Sequence, residues 1–213
     1  MILKSYEIEK KLPDLSKYNI FLLYGENVGL KKDIKNKIEI EINKKENSTE
    51  FLSLNENEII SDEEILYNSI YSGSLFANKK MIIINNGTDK IIKYIEDIYE
   101  KYPENLIIII FADILEKKSK LRNFFEKNST AVCVPCYLDS SRDLEIILIK
   151  EFKKNNITAS RESINILIEK SNNDRDNLKN EIEKIKAFAL NKKNLDIEEI
   201  KSIVNFSGEY KSD

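Results

Sequence analysis

The sequence contains no histidine in 213 residues, and this absence narrows the chemistry that the protein can perform. Histidine is the commonest general base in enzymes and the commonest protein ligand of transition metals. The sequence therefore predicts no catalytic site built on histidine and no metal site.

Cysteines and long apolar runs are also scarce. The chain has only two cysteines, which is typical of proteins in a reducing cytoplasm. Its longest continuous apolar stretch, residues 106–112, is far too short to span a membrane. Residues 1–17 contain no apolar segment of the length found in signal peptides. We therefore expect a soluble protein of the cytoplasm.

An excess of positive charge is absent as well. The formal net charge is −3, and a content of 41% hydrophobic and 33% charged residues is ordinary for a globular protein. A surface that is basic throughout is therefore excluded, and any contact with nucleic acid requires a local patch of lysine and arginine.

Short apolar runs, most of them rich in β-branched residues, recur along the first two thirds of the chain. Such runs are typical of strands buried on both faces of a parallel sheet. Helical patterns lie between them, and Ser61-x-x-Glu64 predicts a capping box that opens the second helix. Strands alternating with helices predict an α/β domain with a parallel sheet of about five strands. The predicted strands cover residues 20–24, 50–54, 81–85, 106–111 and 130–135, and the predicted helices 29–43, 62–72, 89–101 and 116–127.

The pattern changes near residue 140. Beyond it only amphipathic helical segments follow, with polar N-caps predicted at Ser141, Ser160, Asp174 and Asp196. We therefore predict an α/β domain over residues 1–140 and a small all-helical lid domain over residues 141–213. This order of domains is that of AAA+ ATPase modules, an analogy of fold that by itself says nothing about activity.

Residues 21–33, FLLYGENVGLKKD, are similar to a phosphate-binding loop, whose motif is G-x-x-x-x-G-K-[ST]. Gly25 and Lys31 stand at motif positions, and Gly29 is a further glycine of the loop. However, Leu30 replaces the second motif glycine, where a Cβ crowds the backbone around the phosphates. Lys32 replaces the hydroxyl residue that ligates Mg²⁺. We therefore expect this degenerate P-loop not to bind ATP.

The acidic pair that holds Mg²⁺ and orients water after a buried strand is missing too. Asn85 and Asn86 follow one predicted strand, and both are neutral and poor metal ligands. Asp113 follows another strand as a single carboxylate. These two independent failures predict a protein that keeps the fold of an ATPase without its activity, with no catalytic residues and no cofactor.

Cys133 and Cys136 form a C-x-x-C pair at the end of a predicted strand. A redox-active dithiol needs a helix N-terminus to lower the pKa of its nucleophile, and structural zinc needs further ligands. We interpret both cysteines as buried core residues. A redox protein with a reversible disulfide between them is the alternative.

Residues 116–128 predict a basic amphipathic helix. Its Lys117, Lys118, Lys120 and Arg122 are candidate contacts with the DNA backbone. A solvated helix face is the simpler interpretation, because runs of charge usually have that role.

Residues 71–80, YSGSLFANKK, combine a helix end at glycine with the adjacent pair Leu75-Phe76. The pair is either a contact that closes the helix onto the core or, where exposed, an anchor for a partner protein. The residues alone leave both interpretations open.

Four segments together resemble the delta subunit family of the bacterial DNA polymerase III clamp loader. They are FLLYGENVGLKKD, SLFANKKMIIINN, LIIIIFADILEKKSKL and FKKNNITASRESINILIEKSNNDRDNLKNEIEKI, in the family's order and over nearly the whole chain. The resemblance implies a non-catalytic AAA+ module within a DNA-directed DNA polymerase holoenzyme. It also implies that Leu75 and Phe76 form a hydrophobic wedge, which opens the ring-shaped sliding clamp for loading onto primed DNA. Ser74 and Ala77 are the flanking contacts of this wedge.

The same resemblance implies the partners, namely the sliding clamp (beta), the gamma/tau and delta prime subunits, and primed DNA within the complex. The family normally continues into a helical collar domain, and this sequence ends at Asp213, about where that domain would begin. We therefore expect the chain to bind the clamp without joining a loader stably. The alternative is an ATP-binding AAA+ motor-type loader subunit, which Lys31 favours and which Leu30, Lys32, Asn85 and Asn86 oppose.

Overall fold

A five-stranded parallel sheet lies at the centre of the first part of the chain. The computed structural model describes residues 1–4, 7, 11, 18–44, 48–73, 77–189 and 194–205. The strands stand in the order β2-β3-β4-β1-β5, and all neighbours are parallel. Both the α/β class and the sheet are therefore confirmed. The strands are β1 (Ile20–Tyr24), β2 (Thr49–Asn55), β3 (Lys79–Asn85), β4 (Leu106–Ala112) and β5 (Ala131–Pro135).

The sheet has helices on both faces, which explains why β1, β4 and β5 are continuous apolar runs. One face packs against α1 (Val28–Asn43) through Leu30, Ile34 and Ile38. The opposite face packs against four helices with their own buried apolar residues. These are α2 (Glu56–Ser61), α3 (Glu63–Tyr71), α4 (Ile92–Glu100), which a 3₁₀ turn over Asp89–Ile91 precedes, and α5 (Lys120–Lys127).

The start of α3 differs from the prediction. The predicted capping box of Ser61 and Glu64 is wrong, because Asp62 is the N-cap and its carboxylate accepts the Glu64 N–H at 3.0 Å. Asp62 has an extended backbone, which separates α3 from the short α2 that ends at Ser61. A capping box exists instead at the start of α2, between Asn55 and Glu58.

The first residues of the chain lie beside β5. The Leu3 N–H donates to the Cys133 carbonyl and the Cys133 N–H donates to the Met1 carbonyl, each at 2.9 Å. The Leu3 side chain is fully buried among the residues of the face that α1 covers. These residues therefore extend the hydrogen bonding of the sheet beyond β5.

The contacts divide the chain into two compact units, Met1–Tyr137 and Leu138–Asp213. The described part of the second unit is helical apart from one isolated bridge between Thr158 and Asn194, and it has a separate apolar core. Arg175 forms a bidentate ion pair with Asp139 within this unit, with Nε and one terminal nitrogen 2.7 and 2.5 Å from the two carboxylate oxygens. Its helices are α6 (Ser141–Lys154), α7 (Arg161–Lys170), α8 (Arg175–Phe188) and α9 (Ile197–Asn205).

The predicted N-caps of the second unit are confirmed at Ser160, Asp174 and Asp196. The predicted cap at Ser141 is wrong by one position. Ser140 is the N-cap, because its hydroxyl accepts the Asp143 N–H while the Asp143 carboxylate accepts the Ser140 N–H at 2.9 Å. Within the described residues, no helix has both the length and the apolar character needed to cross a membrane.

Candidate functional site at the carboxyl edge of the sheet

The turn between β1 and α1 lies at the carboxyl edge of the sheet, where open parallel sheets bind their ligands. β1 is flanked by β4 and β5, and Tyr24 at its end is in register with Ala112 and Pro135. The turn therefore stands next to the ends of two further strands. An intact P-loop would hold its nucleotide at this place.

Gly25 is required by the path of this turn. Its φ of +128° belongs to a region that side chains with a Cβ rarely adopt. A Cβ at this position would lie 2.3 Å from the carbonyl oxygen of Cys136. The Gly25 N–H faces the carbonyl oxygens of Ala112 and Asp113, each at 3.2 Å. The glycine therefore serves a close approach of the turn to the chain segments after β4 and β5.

Lys31, the lysine of the motif, bonds to the protein itself. The residue is only 4% exposed, and its Nζ donates to the carbonyl oxygens of Gly25 and Ala112, each at 2.9 Å. The carboxylate of Asp113, whose side chain is 91% exposed, lies 3.8 Å from the same nitrogen. A P-loop lysine has to reach the β- and γ-phosphates. Here the ammonium group instead joins the turn to the end of β4.

The start of α1 is satisfied internally in the same way. Asn27 is the N-cap, and its side-chain oxygen accepts the Leu30 N–H at 2.9 Å while its amide donates to the Tyr137 carbonyl at 3.1 Å. The Asn27 N–H donates to the Cys136 carbonyl at 3.0 Å. Leu30 and Gly29 are buried, and Lys32 is exposed. The backbone donor at Leu30 is thus bonded to a side chain of the protein.

The positions at which an active ATPase would hold Mg²⁺ after β3 are occupied by Asn85 and Asn86. The amide of Asn85 donates to the Ser53 hydroxyl at 2.9 Å and to the Leu54 carbonyl at 3.3 Å. Asn86 has a positive φ of 58° and turns the chain after β3. Across the described ranges, no group of three or more acidic or cysteine residues is placed to hold a metal ion.

Comparisons with known proteins decide the family. A family model described as "DNA polymerase III, delta subunit" matches residues 21–136, just over half of the chain. The chain belongs to this family. A curated Rickettsia prowazekii (strain Madrid E) protein named "Probable DNA polymerase III subunit delta" is 28% identical over 177 residues. The match includes 81% of this chain and 51% of that protein, so the chain spans about half the length of the curated relative.

The fold of this delta-family chain is shared with solved structures. The Bacillus subtilis DNA clamp loader delta protein matches with a TM-score of 0.64 and 15% identity, over 93% of this chain and 61% of that one. The Thermotoga maritima RuvB Holliday junction branch migration motor matches with a TM-score of 0.58 and 10% identity, over 94% and 68%. At such identities the likeness concerns the fold alone. The predicted AAA+-like architecture and the predicted delta family are both confirmed.

Three of the four residues expected to contact a clamp, Ser74, Leu75 and Phe76, lie outside the described residues. Ala77, the fourth, is half-buried. The segment falls between the end of α3 at Tyr71 and the start of β3 at Lys79.

The basic residues around α5 divide into two groups. Lys117, Lys118 and Lys120 are exposed, and Lys118 pairs with Glu116 at 2.9 Å. Arg122 is mostly buried instead: its Nε donates to Glu126 at 2.8 Å and a terminal nitrogen donates to the Leu115 carbonyl at 3.0 Å. The guanidinium of Arg122 also lies 5.0 Å from the centre of the Tyr24 ring.

Both cysteines are fully buried, which confirms their interpretation as core residues. They form no disulfide. Burial raises the pKa of the Cys133 thiol to about 12, so the reactive thiolate is strongly disfavoured at neutral pH.

Two buried charged residues were not foreseen from the sequence. Glu56 begins α2, and its carboxylate accepts the Thr88 N–H at 2.5 Å and the Thr88 hydroxyl at 2.8 Å. Lys80 follows Lys79 at the start of β3 and is 7% exposed. The signal for Lys80 was its place next to an apolar strand, where alternate residues point into the core.

Proposed function

We propose that this chain is a non-catalytic subunit of the replicative clamp loader that binds and opens the ring-shaped sliding clamp. Membership of the delta family supports the proposal. The observation that carries its non-catalytic part is the bonding of Lys31 to the carbonyl oxygens of Gly25 and Ala112. The Lys31 ammonium group donates to protein carbonyl groups, so it does not bind the phosphates of ATP. ATP-driven motion therefore comes from the motor subunits of the loader.

The clamp contact is made by the wedge, Leu75 and Phe76, with Ser74 and Ala77 as flanking contacts. Burial of a leucine or phenylalanine side chain contributes about 1.5–3 kcal/mol. Two such side chains in a pocket of the clamp supply enough energy for a specific contact. The further partners in this proposal are the gamma/tau and delta prime subunits and primed DNA.

Lys117, Lys118 and Lys120 contact the DNA backbone within the assembled loader. Their exposure before and at the start of α5 supports this assignment. Arg122 belongs to the same predicted patch, but its contacts with Glu126 and Leu115 leave the three lysines as the stronger candidates.

The decisive experiment measures binding to the purified sliding clamp. The double variant Leu75→Ala with Phe76→Ala is expected to bind at least about 100-fold more weakly, given the burial energies of the two side chains. A matched control is Ile40→Ala with Ile114→Ala, which removes two exposed aliphatic side chains elsewhere in the first unit and leaves binding unchanged. Unchanged clamp binding by the wedge variant would contradict the proposal.

An ATP-binding motor-type subunit is the second candidate, favoured by the presence of Lys31 and by the fold shared with the RuvB motor. Equilibrium dialysis with ATP and Mg²⁺ separates the two. We expect no binding, and micromolar binding would favour the motor-type subunit.

A further inference from the structure

Lys80 caps α3 from outside that helix. Its Nζ donates to the carbonyl oxygens of Ser69 at 2.6 Å and Ser72 at 2.7 Å, and lies 3.3 Å from the Ser72 hydroxyl. The last carbonyl groups of a helix lack partners within the helix, and they carry the negative end of its dipole. A buried ammonium group is therefore well placed to fix this end of α3.

Glu50 completes the surroundings of Lys80. The two residues are in register on the neighbouring strands β2 and β3, and Glu50 Oε2 lies 3.9 Å from Lys80 Nζ. This oxygen is buried and accepts no hydrogen bond from the described residues. Because a buried charge requires compensation, the nearby carboxylate offsets part of the cost of burying the Lys80 ammonium group. β2, β3 and the end of α3 thus meet at one nitrogen atom.

These contacts join the two ends of a short segment. Ser72, the C-cap of α3, precedes the residues of the proposed clamp contact, and Lys80 follows them in β3. The Lys80 side chain therefore fixes the separation of the chain on either side of residues 73–79. Fixing the ends of a segment removes unbound conformations and lowers the entropy that binding costs.

We infer that Lys80 is a positioning residue for clamp binding, which acts by tying the end of α3 to the start of β3. This inference rests on the proposed function, because it assumes that residues 74–77 contact the clamp. As a positioning residue, Lys80 does not itself contact the clamp. Its effect on affinity passes through the geometry of the segment between Ser72 and Lys80.

Lys31 provides a matched control. It is also buried, also donates to two backbone carbonyl oxygens, and also has a carboxylate within 4 Å, that of Asp113 at 3.8 Å. Lys31→Met and Lys80→Met remove the same ammonium group and keep a long unbranched side chain. Of these two lysines, Lys80 joins the ends of the clamp-contact segment and Lys31 does not.

The experiment compares the affinities of these variants for the purified sliding clamp by calorimetry, at a temperature where circular dichroism shows each to be folded. Lys80→Met is expected to lower affinity about tenfold through the lost preorganisation. Lys31→Met is expected to stay within about twofold of the unmodified chain. In a Phe76→Ala background, Lys80→Met has a smaller effect, because the contact it prepares is already lost.

Two further measurements separate positioning from general stability. Chymotrypsin cleavage at Leu75 and Phe76 is expected to accelerate in Lys80→Met and not in Lys31→Met. If Lys80→Met does not fold, Glu50→Gln removes the compensating charge with little change of shape, and it is expected to weaken clamp binding in the same direction.

The outcomes also separate this inference from the proposed function. Equal affinities of Lys80→Met and Lys31→Met would overturn the positioning role. If the wedge variant loses binding while Lys80→Met does not, only the role of Lys80 fails. If the wedge variant binds normally, the proposed function fails, and the inference fails with it.

Discussion

The ammonium nitrogen of Lys31 lies 2.9 Å from the carbonyl oxygen of Gly25, the residue that begins the same turn. A second bond of equal length reaches Ala112 at the end of β4. The lysine that an ATPase directs at phosphate is thus a structural crosslink between β1, β4 and α1. Removal of the Lys31 ammonium group is therefore expected to lower the stability of the first unit.

The first prediction concerns that crosslink. Lys31→Met leaves two carbonyl oxygens without their charged donor, and hydrogen bonds to charged groups contribute about 1.5–3 kcal/mol each. Relief of the buried charge offsets part of this loss, so the free energy of unfolding is expected to fall by about 2–4 kcal/mol. Urea denaturation measures it. The exposed neighbour gives the control: Lys32→Met is expected to change stability by less than about 0.5 kcal/mol, and a loss as large as that of Lys31→Met would contradict the assignment.

Gly25 gives a second test with a glycine control. Gly25→Ala is expected to destabilise the first unit by about 3 kcal/mol or more, because φ is positive and the new Cβ meets the Cys136 carbonyl. Gly73→Ala places its Cβ where no atom of the described residues beyond its chain neighbours lies within 4 Å, and it is expected to change stability little. The melting temperatures of both variants are measured by thermal unfolding, and equal values would contradict the tight turn at Gly25.

The pH dependence of stability tests Asp89. Burial raises the pKa of this carboxyl, but hydrogen bonds from the Ser119 hydroxyl and the backbone N–H groups of Leu121 and Lys120 outweigh it, so the pKa lies below its ordinary value of 3.8. A folded-state pKa below the unfolded value contributes stability above the unfolded pKa, and this stability is lost as the pH falls through the folded value.

Asp89→Asn is therefore expected to be less stable than the unmodified chain at pH 7 and to lose less stability between about pH 5 and pH 3. Urea denaturation at several pH values measures the two slopes. Glu64→Gln, which alters an exposed carboxylate, is expected to follow the unmodified chain. Parallel curves for Asp89→Asn and the unmodified chain would show that the carboxylate has no such role.

Thiol reactivity tests the buried cysteines. Because Cys133 and Cys136 are fully buried and burial raises the pKa of Cys133 to about 12, neither is expected to react with a disulfide reagent in the folded protein at pH 8. Both are expected to react after denaturation. Rapid reaction in the folded state, or a reversible disulfide at controlled potential, would support the redox alternative.

The strands β1, β4 and β5 could be predicted from the sequence because they are buried on both faces of the sheet. Leu106 to Ile110 are five apolar residues in a row, and all five are buried, so no other arrangement suits them. The short helix α2 (Glu56–Ser61) was not predicted; its C-cap is Asp62, the same residue that caps the start of α3. The cap at Ser140 was misplaced because the sequence offers two adjacent serines, and the pairing with Asp143 decides between them.

In the candidate site, the sequence reveals which motif residues are replaced but not which contacts the remaining residues make. The replacements Leu30 and Lys32 are visible in the motif, but the acceptors of Lys31 are not, because Ala112 lies 81 positions away in the chain. The role of Lys80 was hidden for a related reason. Its partners Ser69, Ser72 and Glu50 become neighbours only when α3 and β2 pack beside β3.

The order of the strands also determines when the sheet can form during synthesis. β1 is made first, yet its neighbours β4 and β5 begin only at Leu106 and Ala131. The nascent chain can therefore pair β2 with β3 early, while β1 waits until most of the first unit has left the ribosome. Pairing between distant segments is slow, and an unpaired apolar strand is prone to association with other chains. Until Ala112 emerges, the apolar strand Ile20–Tyr24 has neither of its two neighbouring strands to pair with.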